Sequence, residues 1–218
     1  MKKILFTGFE PFGGETLNPS WEAVSLLPDQ IGNICIVRRR MPVEYDTVGP
    51  LLAQAIEEKQ PDAVICVGQA GGRAALTPEI VALNLKDASK ADNAGILYGR
   101  EPICPDGPAA YFATIPVKRI AAAMREAGVP ASVSYTAGTY VCNSIMYQLL
   151  YLLEHRFPRV KGGFIHIPFC CSQVLERPSM PSLPLEIMAK GLAAAAVEVG
   201  KTLEMKSDSS LAFRSVSE

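Results

Sequence analysis

The chain has 218 residues, of which 49% are hydrophobic and 20% are charged, a composition typical of a globular protein. Its formal net charge of -1 gives no electrostatic reason to expect nucleic acid or an anionic membrane as a partner. No apolar run reaches the roughly 18 residues of a membrane span, and the apolar part of the N-terminus is too short for a signal peptide. No linker divides the sequence, so we expect one domain over residues 1–205 and a frayed tail over 206–218.

Strand and helix patterns alternate along the chain. Strands are predicted at short apolar runs: 3–7, 33–37, 63–67, 77–85, 132–135 and 163–168. Helices are predicted where apolar residues recur at helical intervals: 19–27, 43–59, 116–127, 141–155 and 183–203. This alternation predicts a single three-layer α/β/α domain with a twisted, mostly parallel (mixed) central sheet.

Local signals refine several element boundaries. Asn18 followed by Pro19 predicts a helix start, and Thr139 offers a capping hydroxyl before the helix at 141. Gly49-Pro50 is expected to break or start the helix over 43–59. Residues 86–108 have no period, and an irregular stretch of this length is usually a functional cover or disordered.

Two loops that follow predicted strands are candidates for ligand binding, the first because it contains phenylalanines and the second because it is rich in glycine. Phe9 and Phe12 lie in the first, and they either pack beneath it or line a flat apolar pocket. The second, over residues 68–73, matches neither the dinucleotide fingerprint nor a P-loop. Its glycines can instead bring backbone groups close to a small ligand, as at the carboxyl ends of strands in open α/β sheets.

Cys142 falls in the first turn of a predicted helix. Unpaired backbone N–H groups and the helix dipole favour the thiolate there, which is the reactive form. The alternative is a small buried hydrophobe, and this segment alone leaves the two about equal. The six cysteines together predict free thiols and a cytoplasmic protein, because a chain of this length needs no disulfide framework.

Acyl transfer needs a base near the cysteine and a group that orients the base. Of two histidines, His155 is explained by a helix C-terminus, so His166, near the end of a predicted strand, is the candidate base. A core histidine bonded to backbone is the alternative. Glu79 is the candidate carboxylate, although a solvated glutamate at a strand end is favoured without further context. Zinc bound by His166 with the adjacent cysteines at 170 and 171 lacks the usual paired ligand spacing.

Five separated segments resemble the motifs of the pyrrolidone-carboxylate peptidases (pyroglutamyl peptidase I), in the order of that family. They are residues 6–14 (FTGFEPFGG), 18–21 (NPSW), 67–73 (VGQAGGR), 134–143 (SYTAGTYVCN) and 164–169 (FIHIPF). The resemblance implies a thiol protease with a triad of Glu79, Cys142 and His166. It implies removal of N-terminal pyroglutamate from peptides through a thioester, in the cytoplasm, without cofactor or metal, as a homo-oligomer (tetramer or dimer).

The resemblance also implies a substrate pocket. Its apolar faces would come from Phe9, Phe12, Tyr140 and Val141, and its hydrogen bonds from Asn18 and the backbone around Gln69. Where the family usually has an arginine, this chain has Ser89 and Lys90. Two alternatives are kept: a hydrolase of another small amide, and a catalytically impaired family member that acts as a binding protein.

Overall fold

The computed structural model describes the backbone of residues 1–212 and the side chains of residues 1–204. The strands are β1 (Lys2–Phe9), β2 (Gln30–Ile31), β3 (Ile34–Met41), β4 (Ala63–Gln69), β5 (Thr77–Glu79), β6 (Val81–Leu83), β7 (Ala110–Phe112), β8 (Lys161–Ile167), β9 (Phe169–Cys170) and β10 (Ser182–Leu183). The helices are α1 (Pro19–Ser25), α2 (Tyr45–Lys59), α3 (Val117–Glu126), α4 (Val141–His155) and α5 (Leu185–Ala212), with a 3₁₀ turn over Cys171–Val174.

Six strands form the central sheet in the order β2-β3-β1-β4-β8-β5. Strands β3, β1, β4 and β8 are parallel, whereas β2 and β5 pair antiparallel at the two edges. The inner strands β1 and β4 are nearly continuous apolar runs, as expected for strands covered on both faces. The carboxyl ends of β1, β4 and β8 meet at one edge, which brings the loops after Phe9, Gln69 and Ile167 together.

Helices cover both faces of the sheet. Helices α1, α3 and α5 pack on one face through a first cluster of buried apolar side chains, and α2 and α4 pack on the other through a second. The predicted α/β class with a mixed, mostly parallel sheet is confirmed. No helix in the part of the chain that the structure describes is long and apolar enough to cross a membrane.

The predicted strand over 77–85 is wrong as a single element. Strand β5 ends at Glu79 and pairs with β8, whereas β6 begins at Val81 and pairs with β7 in a separate two-stranded sheet. The apolar run therefore spans two sheets, with Ile80 between them. Strand β7 was not predicted from the sequence. It directly follows the irregular stretch that ends at residue 108.

Gly49 and Pro50 neither break nor start α2, which continues through both. A Cβ atom at Gly49 would overlap the side chain of Gln148, so the glycine allows α2 and α4 to approach closely. Pro50 removes one helical hydrogen bond, and the packing of α2 against the sheet and α4 maintains the helix.

Two predictions near the C-terminal half also change. The strand over 132–135 is wrong, since that segment makes only one isolated bridge, at Ser134, and a second lies just before it at Ala131. The strand over 163–168 corresponds to β8 but is not the last, because β9 and β10 follow. Helix α5 runs to Ala212, so part of the predicted tail is helical, and residues 213–218 lie outside the described residues.

Candidate active site

Cys142 is the second residue of α4, as predicted. The predicted N-cap Thr139 is wrong: the N-cap is Tyr140, whose side chain makes no capping bond, and the Thr139 hydroxyl donates to the Asp87 carbonyl. The first backbone bond of the helix runs from Ser144 N to Tyr140 O. The N–H groups of Val141, Cys142 and Asn143 therefore precede the helical hydrogen bonds and mark an anion-binding helix end.

Asn143 fixes this helix end to strand β6. Its side chain is fully buried, its Oδ1 accepts from Leu83 N at 2.9 Å, and its Nδ2 donates to the carbonyls of Leu83 and Leu85. A buried amide with all three bonds made holds the first turn of α4 at one distance from β6. The position of the neighbouring Cys142 follows from this anchor.

Gly68 makes room for the cysteine sulfur. A Cβ atom on Gly68 would lie 2.8 Å from Cys142 Sγ and 2.7 Å from Phe164 Cζ, closer than such contacts occur. Gly68 pairs with His166 in the β4–β8 ladder, and the Phe164 and His166 rings lie 4.7 Å apart between centroids. The sulfur, the imidazole and the Phe164 ring are thus gathered around one glycine at the end of β4.

Glu79 and His166 form a buried hydrogen-bonded pair. His166 Nδ1 lies 2.7 Å from Glu79 Oε1, and the side chains are 5% and 0% exposed. They are brought together because β5 pairs antiparallel with β8, with Thr77 opposite His166 and Glu79 two residues further on the same face. The alternatives for both residues, a solvated glutamate and a backbone-bonded core histidine, are not what the structure contains.

Arg73 provides the charge partner of Glu79. Its Nη1 lies 2.7 Å from Glu79 Oε1 and also contacts the Thr77 hydroxyl, while Nη2 donates to the Thr136 carbonyl at 3.3 Å. The guanidinium comes from the glycine-rich loop after β4, so that loop supports the carboxylate. Glu79 Oε2 is buried without a hydrogen-bond partner among the described residues.

The protonation states follow from these contacts. Burial raises the pKa of Glu79, but the hydrogen bond and charge of His166, with smaller contributions from Ser134 and Arg73, lower it overall, so the carboxylate is ionised. Burial lowers the pKa of His166, and the opposing effect of Glu79 does not restore it, so the imidazole is neutral at pH 7. Nδ1–H then donates to Glu79, which leaves Nε2 as the basic nitrogen.

The pKa of Cys142 differs from what its place in the first turn of a helix suggests. Burial, followed by the charge of Glu79 and by Cys66, raises the pKa of Cys142 to about 12, although Arg73 and Lys90 act in the opposite direction. The helix end favours the thiolate, but in the free site burial and the charge of Glu79 oppose that preference. Cys142 is a neutral thiol until a base takes its proton.

Cys142 and His166 open onto one cavity of about 430 Å³ at the carboxyl edge of the sheet. The cavity is lined by all six residues predicted to bind substrate: Phe9, Phe12, Asn18, Gln69, Tyr140 and Val141. Glu79 lies behind His166 and does not line it. Volume and composition suit a small, largely apolar ligand with few polar groups.

Aromatic rings form one side of the cavity. Phe12 and Tyr140 lie 6.2 Å apart between ring centroids, and Tyr45 packs edge-on against Tyr140 at 5.6 Å. The Tyr140 hydroxyl donates to the Ala91 carbonyl at 3.0 Å, which ties this side to the long loop. Of the two interpretations of Phe9 and Phe12, both hold in part: Phe9 is 2% exposed, and both rings line the cavity.

Asn18 and Gln69 line the cavity with their polar groups partly engaged. Asn18 caps α1 through Oδ1, which accepts from Ser20 N and Oγ, and its Nδ2 donates to Glu10 O at 2.9 Å. Gln69 Oε1 accepts from Gln173 Nε2 at 3.0 Å. The Asn18 amide keeps a second hydrogen, and the Gln69 loop presents backbone groups, so both remain candidates for ligand hydrogen bonds.

Sequence reasoning assigned no role to Arg73, Asn143 or Phe169. Arg73 had a readable signal, because a carboxylate entering a buried strand needs a nearby cation. Asn143 had one too, since an amide in the first turn of an apolar helix must find buried partners. Phe169 had none: it reaches the cavity through the turn after β8, and its ring occupies the space that a Cβ atom on Gly71 would need.

All six cysteines are free, and no group of three or more His, Cys, Asp or Glu side chains in residues 1–204 is placed to hold a metal ion. The site offers a thiol and a neutral imidazole that line one cavity, with a carboxylate bonded to the imidazole from behind. This arrangement suits nucleophilic attack on an acyl group.

Comparison with known proteins agrees with this chemistry. The model of the pyroglutamyl peptidase family matches residues 2–202. The chain is 52% identical over 193 residues to the pyrrolidone-carboxylate peptidase of Levilactobacillus brevis, covering 88% of this chain and 95% of the relative. It is 51% identical over 193 residues to that of Thermococcus kodakarensis, covering 88% and 93%.

Solved structures are similar over the same extent. Pyroglutamyl peptidase I from Bacillus amyloliquefaciens has a TM-score of 0.90 at 47% identity, covering 92% of this chain and 98% of that chain. Pyrrolidone carboxyl peptidase from Thermococcus litoralis has a TM-score of 0.91 at 37% identity, covering 94% and 96%. The chain therefore belongs to the pyroglutamyl peptidase family of hydrolases.

Proposed function

We propose that this family member removes N-terminal pyroglutamate from peptides, with Cys142 as nucleophile, His166 as general base and acid, and Glu79 as the group that orients His166. The observation that carries the proposal is the 2.7 Å bond between His166 and Glu79 beside the cavity that also contains Cys142. The family membership supports the substrate, and the geometry supports the roles.

The reaction begins from a neutral thiol. His166 Nε2 takes the Cys142 proton as the sulfur attacks the pyroglutamyl carbonyl carbon, so charge separates only as the C–S bond forms. The imidazolium that results is stabilised by the ionised Glu79 at Nδ1. Glu79 keeps the ring in the tautomer that leaves Nε2 free to accept.

The tetrahedral intermediate then divides. The imidazolium gives its proton to the leaving nitrogen, the C–N bond breaks, and the pyroglutamyl group remains on Cys142 as a thioester. Water, deprotonated by the same imidazole, attacks the thioester, the C–S bond breaks, and the proton returns to the sulfur. The released pyroglutamic acid loses its proton to solvent and leaves as the carboxylate, and the site regains its neutral thiol.

The developing oxyanion lies at the start of α4. The N–H groups of Val141, Cys142 and Asn143 precede the helical bonds, and Asn143 fixes this turn to β6. Removal of one such donor in other acyl-transfer enzymes costs about 3–4 kcal/mol of transition-state stabilisation. A helix end that is already anchored needs no rearrangement to supply this stabilisation.

The cavity suits an uncharged lactam. Pyroglutamate has no free ammonium, so a pocket for it needs apolar faces and a few hydrogen bonds rather than a counter-charge. Phe9, Phe12, Tyr140 and Val141 supply the faces, and Asn18 with the Gln69 backbone supplies the bonds. Proline should be rejected, because it lacks the lactam carbonyl and its nitrogen is charged.

Assembly and compartment belong to the same proposal. We propose a homo-oligomer, dimer or tetramer, supported by exposed large apolar side chains at Phe112, Tyr135 and Leu175. We propose the cytoplasm, supported by six free cysteines. Light scattering of the purified protein would measure the assembly directly.

The test is hydrolysis of pyroglutamyl and prolyl amides of the same fluorescent amine, assayed side by side. The wild type is expected to hydrolyse only the pyroglutamyl amide, and Cys142→Ala to lose that activity completely. Cys171→Ser is the matched control, because Cys171 is exposed and does not line the cavity. Turnover by Cys142→Ala, or a preference for the prolyl amide, would contradict the proposal and favour another amide hydrolase.

A further inference from the structure

The rim of the cavity has an uneven charge. Its charged lining residues are Arg73 and Lys90, and none of the aspartates and glutamates within residues 1–204 lines it. Arg73 is neutralised by Glu79 at 2.7 Å. Lys90 makes no ion pair with any residue whose side chain the structure describes. The rim therefore carries one uncompensated positive charge.

The ammonium of Lys90 is held at this rim by two aromatic rings. Its Nζ lies 4.5 Å from the centroid of Phe12 and 5.2 Å from that of Tyr140, in cation–π geometry. The side chain is exposed, so the charge faces solvent as well as the cavity. A cation–π contact leaves the ammonium hydrogens that point away from the rings available for an anion.

The backbone around Lys90 is fixed on both sides. Before it, the Asp87 carbonyl accepts from the Thr139 hydroxyl, and after it the Ala91 carbonyl accepts from the Tyr140 hydroxyl. Both partners lie in the turn that leads directly into Cys142. The lysine is thus tied to the segment that carries the nucleophile, and its distance from the sulfur is set by that turn.

The field of Lys90 reaches the reacting atom. Although burial raises the pKa of Cys142, Lys90 is among the groups that act to lower it. A carboxylate on the first leaving residue lies within a few bonds of the carbonyl that the sulfur attacks. Because Lys90 lines the same cavity as Cys142, that carboxylate would feel the charge of the ammonium, which physiological salt screens over roughly 8–10 Å.

We propose that Lys90 is a specificity-determining residue that makes the enzyme prefer peptides in which an aspartate or glutamate directly follows the pyroglutamyl group. The inference rests on the proposed function and adds a leaving-group preference to it. The attraction acts across a solvent-exposed rim, so the preference is expected to be about three- to fivefold in kcat/KM.

The experiment compares pyroglutamyl-glutamate amide with pyroglutamyl-glutamine amide, two substrates of nearly equal shape that differ in charge. The wild type should favour the glutamate substrate by about three- to fivefold. Lys90→Met, which keeps the apolar stem, should bring the ratio to about one, and Lys90→Arg should retain the preference. Lys118→Met on α3 removes an equal charge far from the cavity and should leave the ratio unchanged.

Salt provides a second readout of the same preference. Raising the ionic strength from about 0.05 M to about 0.5 M should lower the wild-type ratio and leave that of Lys90→Met unchanged. If wild type and Lys90→Met both hydrolyse the glutamine substrate but have the same ratio of kcat/KM for the glutamate and glutamine substrates, the inference is overturned. Failure of the wild type to hydrolyse the glutamine substrate would instead contradict the proposed function.

Discussion

The two sides of the cavity are built differently. The catalytic wall, defined as the proposed catalytic residues Cys142 and His166 with Glu79 behind His166, lies on α4, β8 and β5, where backbone hydrogen bonds fix each position. The aromatic wall, defined as Phe12, Lys90 and Tyr140, lies on loops and a helix cap that are held by side-chain contacts. In the proposed mechanism, chemistry therefore depends on regular structure, whereas recognition depends on loops that contact each other.

We expect substitutions in the catalytic wall to lower kcat more than substitutions in the aromatic wall. In Glu79→Gln an amide replaces the carboxylate, so it neither holds the correct His166 tautomer nor stabilises the imidazolium. We expect kcat/KM to fall by about 10²–10⁴-fold. Stopped-time assays on a pyroglutamyl amide measure this, with Glu126→Gln, exposed on α3, as the control. A loss of less than about tenfold in kcat/KM would show that His166 keeps its orientation without Glu79.

The second prediction concerns the space beside the sulfur. Gly68→Ala places a methyl group 2.8 Å from Cys142 Sγ, so the sulfur must move. A displacement of this size should lower kcat by about 10²-fold and destabilise the core by about 1–3 kcal/mol. Gly99→Ala is the control, since nothing lies within 4 Å of the added atom. Equal kcat in the two variants would show that the sulfur tolerates the crowding.

The third prediction tests the aromatic wall through its anchor. The buried Asp92 accepts bonds from the backbone N–H groups of Tyr45, Ala94 and Ile96, joining the start of α2 to the long loop. Asp92→Ala removes these acceptors and should loosen the segment that carries Lys90. We expect KM to rise about tenfold with a smaller change in kcat, and a loss of about 1–2 kcal/mol of stability.

The control for this variant lies in the same loop. Glu101→Ala removes an exposed carboxylate and should leave both KM and stability near wild type. If Asp92→Ala instead lowered kcat and left KM unchanged, the long loop would act on the chemistry and the division between the two walls would be incorrect.

The smallest expected effect is a shift in the pH profile. The free enzyme needs neutral His166, whose pKa is lowered chiefly by burial and also by Arg73, so kcat/KM should fall only below the ordinary histidine range. Arg73→Met removes a cation, which raises the pKa values of His166 and Glu79. The acid limb should move to higher pH by a fraction of a unit. Arg159→Met, exposed and remote, should not move it.

The catalytic wall was predictable from the sequence because its residues follow from strand and helix ends. Cys142 in a first turn and His166 near a strand end were correctly placed by periodicity alone, and the family resemblance connected them to Glu79. The protonation state of Cys142 was not predictable from the sequence, because its burial beside Glu79 depends on how β5 pairs with β8.

The aromatic wall was less accessible to sequence reasoning. Phe9 and Phe12 stood out as apolar residues in a loop, yet nothing in the sequence brings Phe12 to Tyr140 or Lys90 to either ring. One anchor of the loop that carries Lys90 is Asp92, which accepts a hydrogen bond from Tyr45 N at the start of α2, 47 residues away in the chain. Contacts of this kind arise from tertiary packing and leave no periodic signal.

The proposed mechanism depends most on covalent chemistry at the Cys142 sulfur. Acid quenching during turnover of a pyroglutamyl amide, followed by mass spectrometry of the peptides, measures it directly. We predict a pyroglutamyl group on the peptide that contains Cys142, lost in Cys142→Ala. Full turnover with that sulfur never acylated, or with the acyl group on another residue, would contradict the account.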